Sequence, residues 1–204
     1  MRNWISRLCV VVLACVVLSP GTVKAESDPG RQAGYFGIGL LHAWPEFGSE
    51  GPGSAYGFNA RVGYQFLPFL ASEVNVDFAN DFDYRLALGN TSVDWRTRVV
   101  ATTGNLKAVL PLGWFRPYLL GGIGFQWSQL RVSAEGREVS NEIYNFVGRA
   151  AGGFDFMFHD QIGWHIEGYA LFPVGSRDFN FQGFEIDSSP LRTVGMNTGI
   201  RFVF

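Results

Sequence analysis

Residues 72–78 read SEVNVDF. Val74, Val76 and Phe78 alternate with Glu73, Asn75 and Asp77. Successive side chains of an extended chain point to opposite faces, so this stretch is a strand with one apolar and one polar face. The same two-residue period recurs upstream in YGFNARVGYQF (56–66), where Tyr56, Phe58, Ala60, Val62, Tyr64 and Phe66 oppose Asn59, Arg61, Gly63 and Gln65. Downstream it recurs in IYNFVGRAAGGFDFMF (143–158) and IGWHIEGYALF (162–172), and it runs through MNTGIRFVF (196–204) to the last residue.

Eight such segments span about 34–45, 56–67, 70–86, 93–111, 117–132, 142–159, 162–173 and 191–204. Pro45, Pro68, Pro111, Pro117, Pro173 and Pro190 lie at or near their ends, where a missing N–H is tolerated. The links alternate in length. LPF, GWFR and DQ follow segments two, four and six; EFGSEGPGSA, ALGNTSV, SAEGREVSN and GSRDFNFQGFEIDSSP follow the others. Short and long links therefore fall at opposite ends of an up-and-down meander.

Composition supports this alternation. The chain has 204 residues, 26 of them glycine and 19 phenylalanine, with 16% aromatics, yet its mean hydropathy is only +0.08. Such a chain must interleave apolar and polar residues finely. Residues 1–25 stand apart. MRNWISR is basic, LCVVVLACVVLS is an apolar run too short to span a bilayer as a helix, and Val23 and Ala25 suit positions −3 and −1 of a signal-peptidase site. The expected organisation is a signal peptide (1–25), a short segment (26–33) and one domain (34–204). Lipidation of Cys15 is disfavoured by Leu13 two residues before it.

Both cysteines, Cys9 and Cys15, fall in the leader, so the remainder has no disulfide and no thiolate. Removing Arg2, Arg7 and Lys24 leaves 13 of the 16 basic residues against 18 acidic ones, a net −5. That balance argues against nucleic acid as a partner.

Three features orient the faces. The polar positions are mostly Gly, Ala, Asn, Thr and Gln, poorer in charge than a soluble surface. Eight strands enclose a lumen only wide enough for side chains to fill it, so the bulky face belongs outside. Rings gather near segment ends: Tyr64, Phe66, Trp114, Phe115, Trp164 and Phe202 at the short-link end; Trp44, Tyr56, Trp127, Tyr144 and Phe172 at the other. Two girdles around an aliphatic band suit a membrane barrel. The expected fold is an all-β, eight-stranded antiparallel transmembrane barrel.

At this point the residues show a resemblance. GIRFVF, ending in phenylalanine, resembles the C-terminal signal of Gram-negative outer-membrane barrels. GYQFLPFLASEVNVDF, RPYLLGGIGFQW and GRAAGGFDFMFHDQIGWHIEGYAL are similar to successive hairpins of the small eight-stranded OmpA/OmpX-type, porin-like barrels, a likeness covering about 34–204. The resemblance implies residence in the outer membrane and insertion by the barrel-assembly machinery, with Ile200, Phe202 and Phe204 as the assembly signal. Partners so implied are outer-membrane lipid and lipopolysaccharide, and an extracellular ligand or host surface reached through the long loops. No peptidoglycan-binding domain follows Phe204, so a cell-wall tether is not expected.

The inward charges assigned by alternation are Arg61, Lys107, Arg149 and Arg201 against Glu73, Asp77, Asp155 and Glu167, four of each sign, with His165 beside them. Sign balance suits a plugged lumen, because a buried charge needs a partner. His165 and Glu167, two apart on one face, could serve as base and orienter, but a lumen hydrogen-bond pair is the weightier reading. His42, outside near Trp44, has no neighbouring serine of the kind lipid-deacylating barrels carry. His42, His159 and His165 share no ligand spacing, and neither metal nor cofactor is expected. The aromatic run DFNFQGF (178–184) reads as a hairpin extension ahead of an adhesive tip. The expectation is a monomeric, non-enzymatic barrel with a structural or surface-interaction role. A narrow channel or small-ligand carrier is the alternative, and a lipid-modifying enzyme the third reading.

Overall fold

The computed structural model of the protein describes residues 33–45, 53–88, 91–134, 137–174, 179–181, 184–186 and 192–204. The expected signal peptide, the cleavage site and most of the two longest links lie outside the described residues.

The described residues form β1 (Ala33–Pro45), β2 (Ala55–Leu67), β3 (Leu70–Leu88), β4 (Thr91–Val109), β5 (Phe115–Ala134), β6 (Arg137–His159), β7 (Ile162–Pro173), β8 (Phe179–Phe181), β9 (Phe184–Ile186) and β10 (Thr193–Val203). Eight of them close into an antiparallel barrel in the order β1-β10-β7-β6-β5-β4-β3-β2. The strands β8 and β9, which hold most of DFNFQGF, pair only with each other as a separate hairpin.

Closure satisfies the backbone. Hydrocarbon offers no hydrogen bonds, so a sheet can cross a bilayer only if it leaves no edge. The seam pairs β1 with β10 from Tyr35↔Val203 to Pro45↔Thr193. It is finished by Gly34 and Phe204, whose amides donate to each other's carbonyls at 3.0 and 2.9 Å. Gly39 and Gly199 face each other across this seam, and a Cβ on either would collide with the opposite backbone. Among the tight links, the one before β5 turns through Gly113, at φ 76°, a conformation glycine adopts without strain.

The faces are inverted relative to a soluble protein. Along β5, Leu119, Ile123 and Phe125 are 71%, 60% and 69% exposed, whereas Tyr118, Leu120 and Gln126 point into the lumen and are buried. Rings pack on the outer wall at both ends. Phe36 stacks on Phe202 at 4.9 Å and Phe156 on Trp164 at 5.4 Å near the tight links; His42 stacks on Tyr56 at 4.3 Å at the other end.

The wall is uneven. Pairing of β2 with β3 ends at Tyr56↔Asn80, and that of β6 with β7 at Val147↔Pro173. Strands β3 to β6 continue past those points, to Leu88↔Thr91 between β3 and β4 and to Ala134↔Arg137 between β5 and β6. The ring is thus closed over one length and open on one side above it.

Candidate functional site: the charged lumen

Alternation within each strand decides which side chains meet inside. Arg61 comes from β2, Glu73 and Asp77 from β3, Lys107 from β4, Arg149 and Asp155 from β6, His165 and Glu167 from β7, and Arg201 from β10. All nine point inward and are between 0% and 4% exposed.

Eight of them form one chain of alternating sign. Asp77 pairs with Arg149, whose Nη2 donates to Glu167 Oε1 at 2.8 Å. Arg61 Nη1 donates to the other oxygen of Glu167 at 3.2 Å and lies 3.8 Å from Glu73 Oε1. Lys107 Nζ is 3.8 Å from Glu73 Oε2 and donates to Asp155 Oδ2 at 2.9 Å. Arg201 closes the chain on the same Asp155 oxygen. No member is left with only its own sign for company, as burial demands.

Neutral groups take up part of the remaining capacity, while Asp155 Oδ1, Arg149 Nε and Arg201 Nε have no hydrogen-bond partner among the described residues. Tyr118 donates to Glu167 at 2.9 Å, Tyr35 to Glu73 at 2.7 Å and Asn75 to Glu73 at 2.7 Å. Asn59 donates to Asp77 at 2.6 Å and accepts from Arg61 Nε at 3.0 Å; Asn197 accepts from Arg61 Nη2 at 2.6 Å and donates to Glu167 at 2.9 Å. The tyrosine faces cover the cations. Lys107 Nζ lies 3.5 Å from the Tyr118 ring centre, and the guanidinium carbons of Arg201 and Arg149 lie 3.6 Å and 4.6 Å from those of Tyr35 and Tyr169.

The expected hydrogen-bond pair of His165 and Glu167 is not formed. The Glu167 oxygens are committed to Arg61, Arg149, Tyr118 and Asn197, while both His165 ring nitrogens lack a hydrogen-bond partner among the described residues. Two residues apart on one strand, the two side chains are about 6–7 Å apart at their roots, and the arginines reach the carboxylate first. His42 sits on the outer wall between Tyr56 and Trp44, in stacking contact with both.

Alternation read for charge alone misses a second layer. Toward the long-link end the lumen is filled by Leu41, Ala43, Ala55, Ala79, Phe82, Val99, Ala101, Val147 and Leu171. Most share the inward parity of the charged residues and could be found by extending it. Phe82 could not. The β3–β4 register slips between Ala79 and Phe82, which turns an even-numbered residue inward.

Comparison with known proteins follows this geometry. The model of the outer membrane protein beta-barrel domain matches residues 10–188. The chain belongs to that family. Its barrel is an integral part of a Gram-negative outer membrane, crossing it with strands. No curated protein matches the sequence. Among solved structures, the attachment invasion locus protein Ail of Yersinia pestis is 13% identical with a TM-score of 0.54, covering 86% of this chain and 99% of that one. Neisserial surface protein A is 14% identical at 0.53 (84% and 97%), and a major outer membrane protein of Thermus thermophilus is 10% identical at 0.59 (84% and 100%). At these identities the likeness is one of fold.

Proposed function

We propose that this member of the outer-membrane barrel family is a plugged, non-enzymatic wall element that acts through its outer end and not by passage through its lumen. The observation that carries this reading is the unbroken chain from Asp77 to Arg201 beneath an apolar layer. An aqueous pore has no need of sign balance and more often carries a ring of one sign. Here the charges pair with one another, and the layer above them is mostly apolar, with Gln126, Ser128 and Thr193 its buried uncharged polar members. The test is planar-bilayer recording from the purified protein. The expected outcome is no steady conductance; a steady open level would overturn the plug and favour a channel or small-ligand carrier.

The terminal strand has a role of its own in this reading. Ile200 and Phe204 are 47% and 60% exposed on the outer wall, and Phe202 stacks there on Phe36. These side chains form the signal read by the barrel-assembly machinery. Phe204→Asp should therefore lower outer-membrane levels in cells several-fold more than it lowers refolding yield in detergent. Equal losses in both would leave lipid contact as its whole role.

The outer end is where a surface ligand would meet the protein. Ail has been solved with the heparin analogue sucrose octasulfate, which makes sulfated sugars the first soluble probe for this barrel.

A further inference from the structure

The buried charges balance, but the tight-link mouth of the lumen carries one more. Arg116, the second residue of β5, has the inward parity of Tyr118 and Leu120. It is half-buried, and its Nε donates to the Gly113 carbonyl at 3.0 Å, which holds the guanidinium at the link before β5. Arg116 makes no other hydrogen bond and no ion pair among the described residues. Its register partner is Asp155, one of whose oxygens already serves Lys107 and Arg201. Arg201 acts on Arg116 as a like charge; Asp155 and Asp160 act on it as counter-charges from beyond ion-pair distance. Gln65, Ala71, Val109, Met157 and Val203, the other inward residues near this rim, carry no charge. Nη1 and Nη2 of Arg116 therefore have no acceptor among the described residues.

Ala33, where β1 begins, stands at the same mouth, since it pairs with Gln65 beside the β2–β3 link. In the barrel order β1 and β5 are four strands apart in either direction, so they face each other across the lumen. Strands about 4.8 Å apart and tilted by about 40° give an eight-membered ring about 16 Å across. The residues before β1 read ESDPGRQ (26–32). Asp28 precedes Ala33 by five residues, about 17 Å of extended chain, and Glu26 by seven, about 24 Å. The Arg116 side chain covers part of the gap, so Asp28 reaches it with slack for a bend at Pro29-Gly30. Arg31, two residues from β1, stays on the near side. Cleavage after Ala25 puts an amino terminus beside Glu26, which leaves Asp28 as the free acid.

We infer that the tight-link mouth is a carboxylate site built on Arg116, and that its occupant is the segment 26–32, crossing from β1 and pairing through Asp28. A guanidinium offers a carboxylate two parallel donors, and Nη1 and Nη2 are the pair left over once Gly113 holds Nε. A tether this short keeps its carboxylate at a local concentration of roughly millimolar, ahead of free anions. Short links of such barrels face the periplasm, so the segment spans the inner mouth, opposite the end where a surface ligand would meet the protein. The inference rests on cleavage after Ala25 and not on a plugged lumen.

The experiment uses the protein isolated from outer membranes and placed in phospholipid nanodiscs. The mature chain has no cysteine, so a nitroxide on S27C reports the position of the segment. Broadening of backbone amide signals by that nitroxide is measured by NMR in the wild-type background, in R116Q and in D28N, with boiling-dependent gel mobility confirming the fold. In the wild-type background the broadened amides should include Phe115, Arg116 and Tyr118 on the far wall. Either substitution should reduce their broadening about threefold, the size expected of a partly exposed ion pair. Unchanged broadening in folded R116Q or D28N would overturn the site, as would broadening confined to β1, β2 and β10 in the wild-type background. An intact mass showing a chain that begins after Asp28 would overturn it too. Steady conductance with the far-wall broadening retained would overturn the plug and leave this site standing.

Discussion

The lower and upper halves of the lumen solve one packing problem in opposite ways. Near the tight links the barrel is filled by four cations, four carboxylates and the amides and phenols that join them. Toward the long links it is filled mostly by Leu41, Phe82, Val99, Val147, Tyr169, Leu171 and small alanines, with Gln126, Ser128 and Thr193 buried among them. The side chains of both halves are buried. In the upper half each side chain contributes separately, and neighbours close partly over a loss. In the lower half each group is satisfied only by the others, so losing one partner strands several.

Three measurements of unfolding free energy, by urea titration in micelles, would break or sharpen this contrast. Glu167→Leu should have the largest effect, about 3–5 kcal/mol, because it leaves Arg61 and Arg149 each short of a buried counter-charge. A cost near that of an apolar truncation would mean that water reaches the lower half. Leu171→Ala in the upper half should cost about 2–3 kcal/mol, the transfer and cavity terms of one side chain. A larger loss would show that the apolar layer, too, is cooperative. The smallest effect is that of salt on the wild type. Raising ionic strength from about 0.1 to about 1 M should change stability by less than about 1 kcal/mol, since buried pairs are poorly screened. Strong salt dependence would place the ion chain in solvent.

Much of the fold is legible in the sequence because a barrel strand carries its own two-residue period. SEVNVDF announces two faces, and the links announce the order of up and down. The parity of Arg61, Glu73, Lys107, Arg149, Asp155, Glu167 and Arg201 can be read the same way. Which of these side chains meet cannot. Levels around a barrel depend on tilt and shear, properties of the closed ring and not of any one strand. That is why Glu167 turns to Arg61 and Arg149 instead of to His165, two residues away in sequence. The slip at Phe82 is silent as well, since alternation counted along the chain cannot see a bulge.

The seam between β1 and β10 also constrains the order of events in time. Tyr35 and Val203, paired across it, are about 170 residues apart in the chain, an extreme of non-local contact. Bringing such distant ends together adds little entropic cost, since that cost rises only with the logarithm of loop length. Leaving them apart in hydrocarbon would expose two whole edges of peptide groups. A barrel missing its last strand is therefore a less favourable species in the bilayer than the finished ring, and the pairing of β1 with β10 is the step that removes both edges at once.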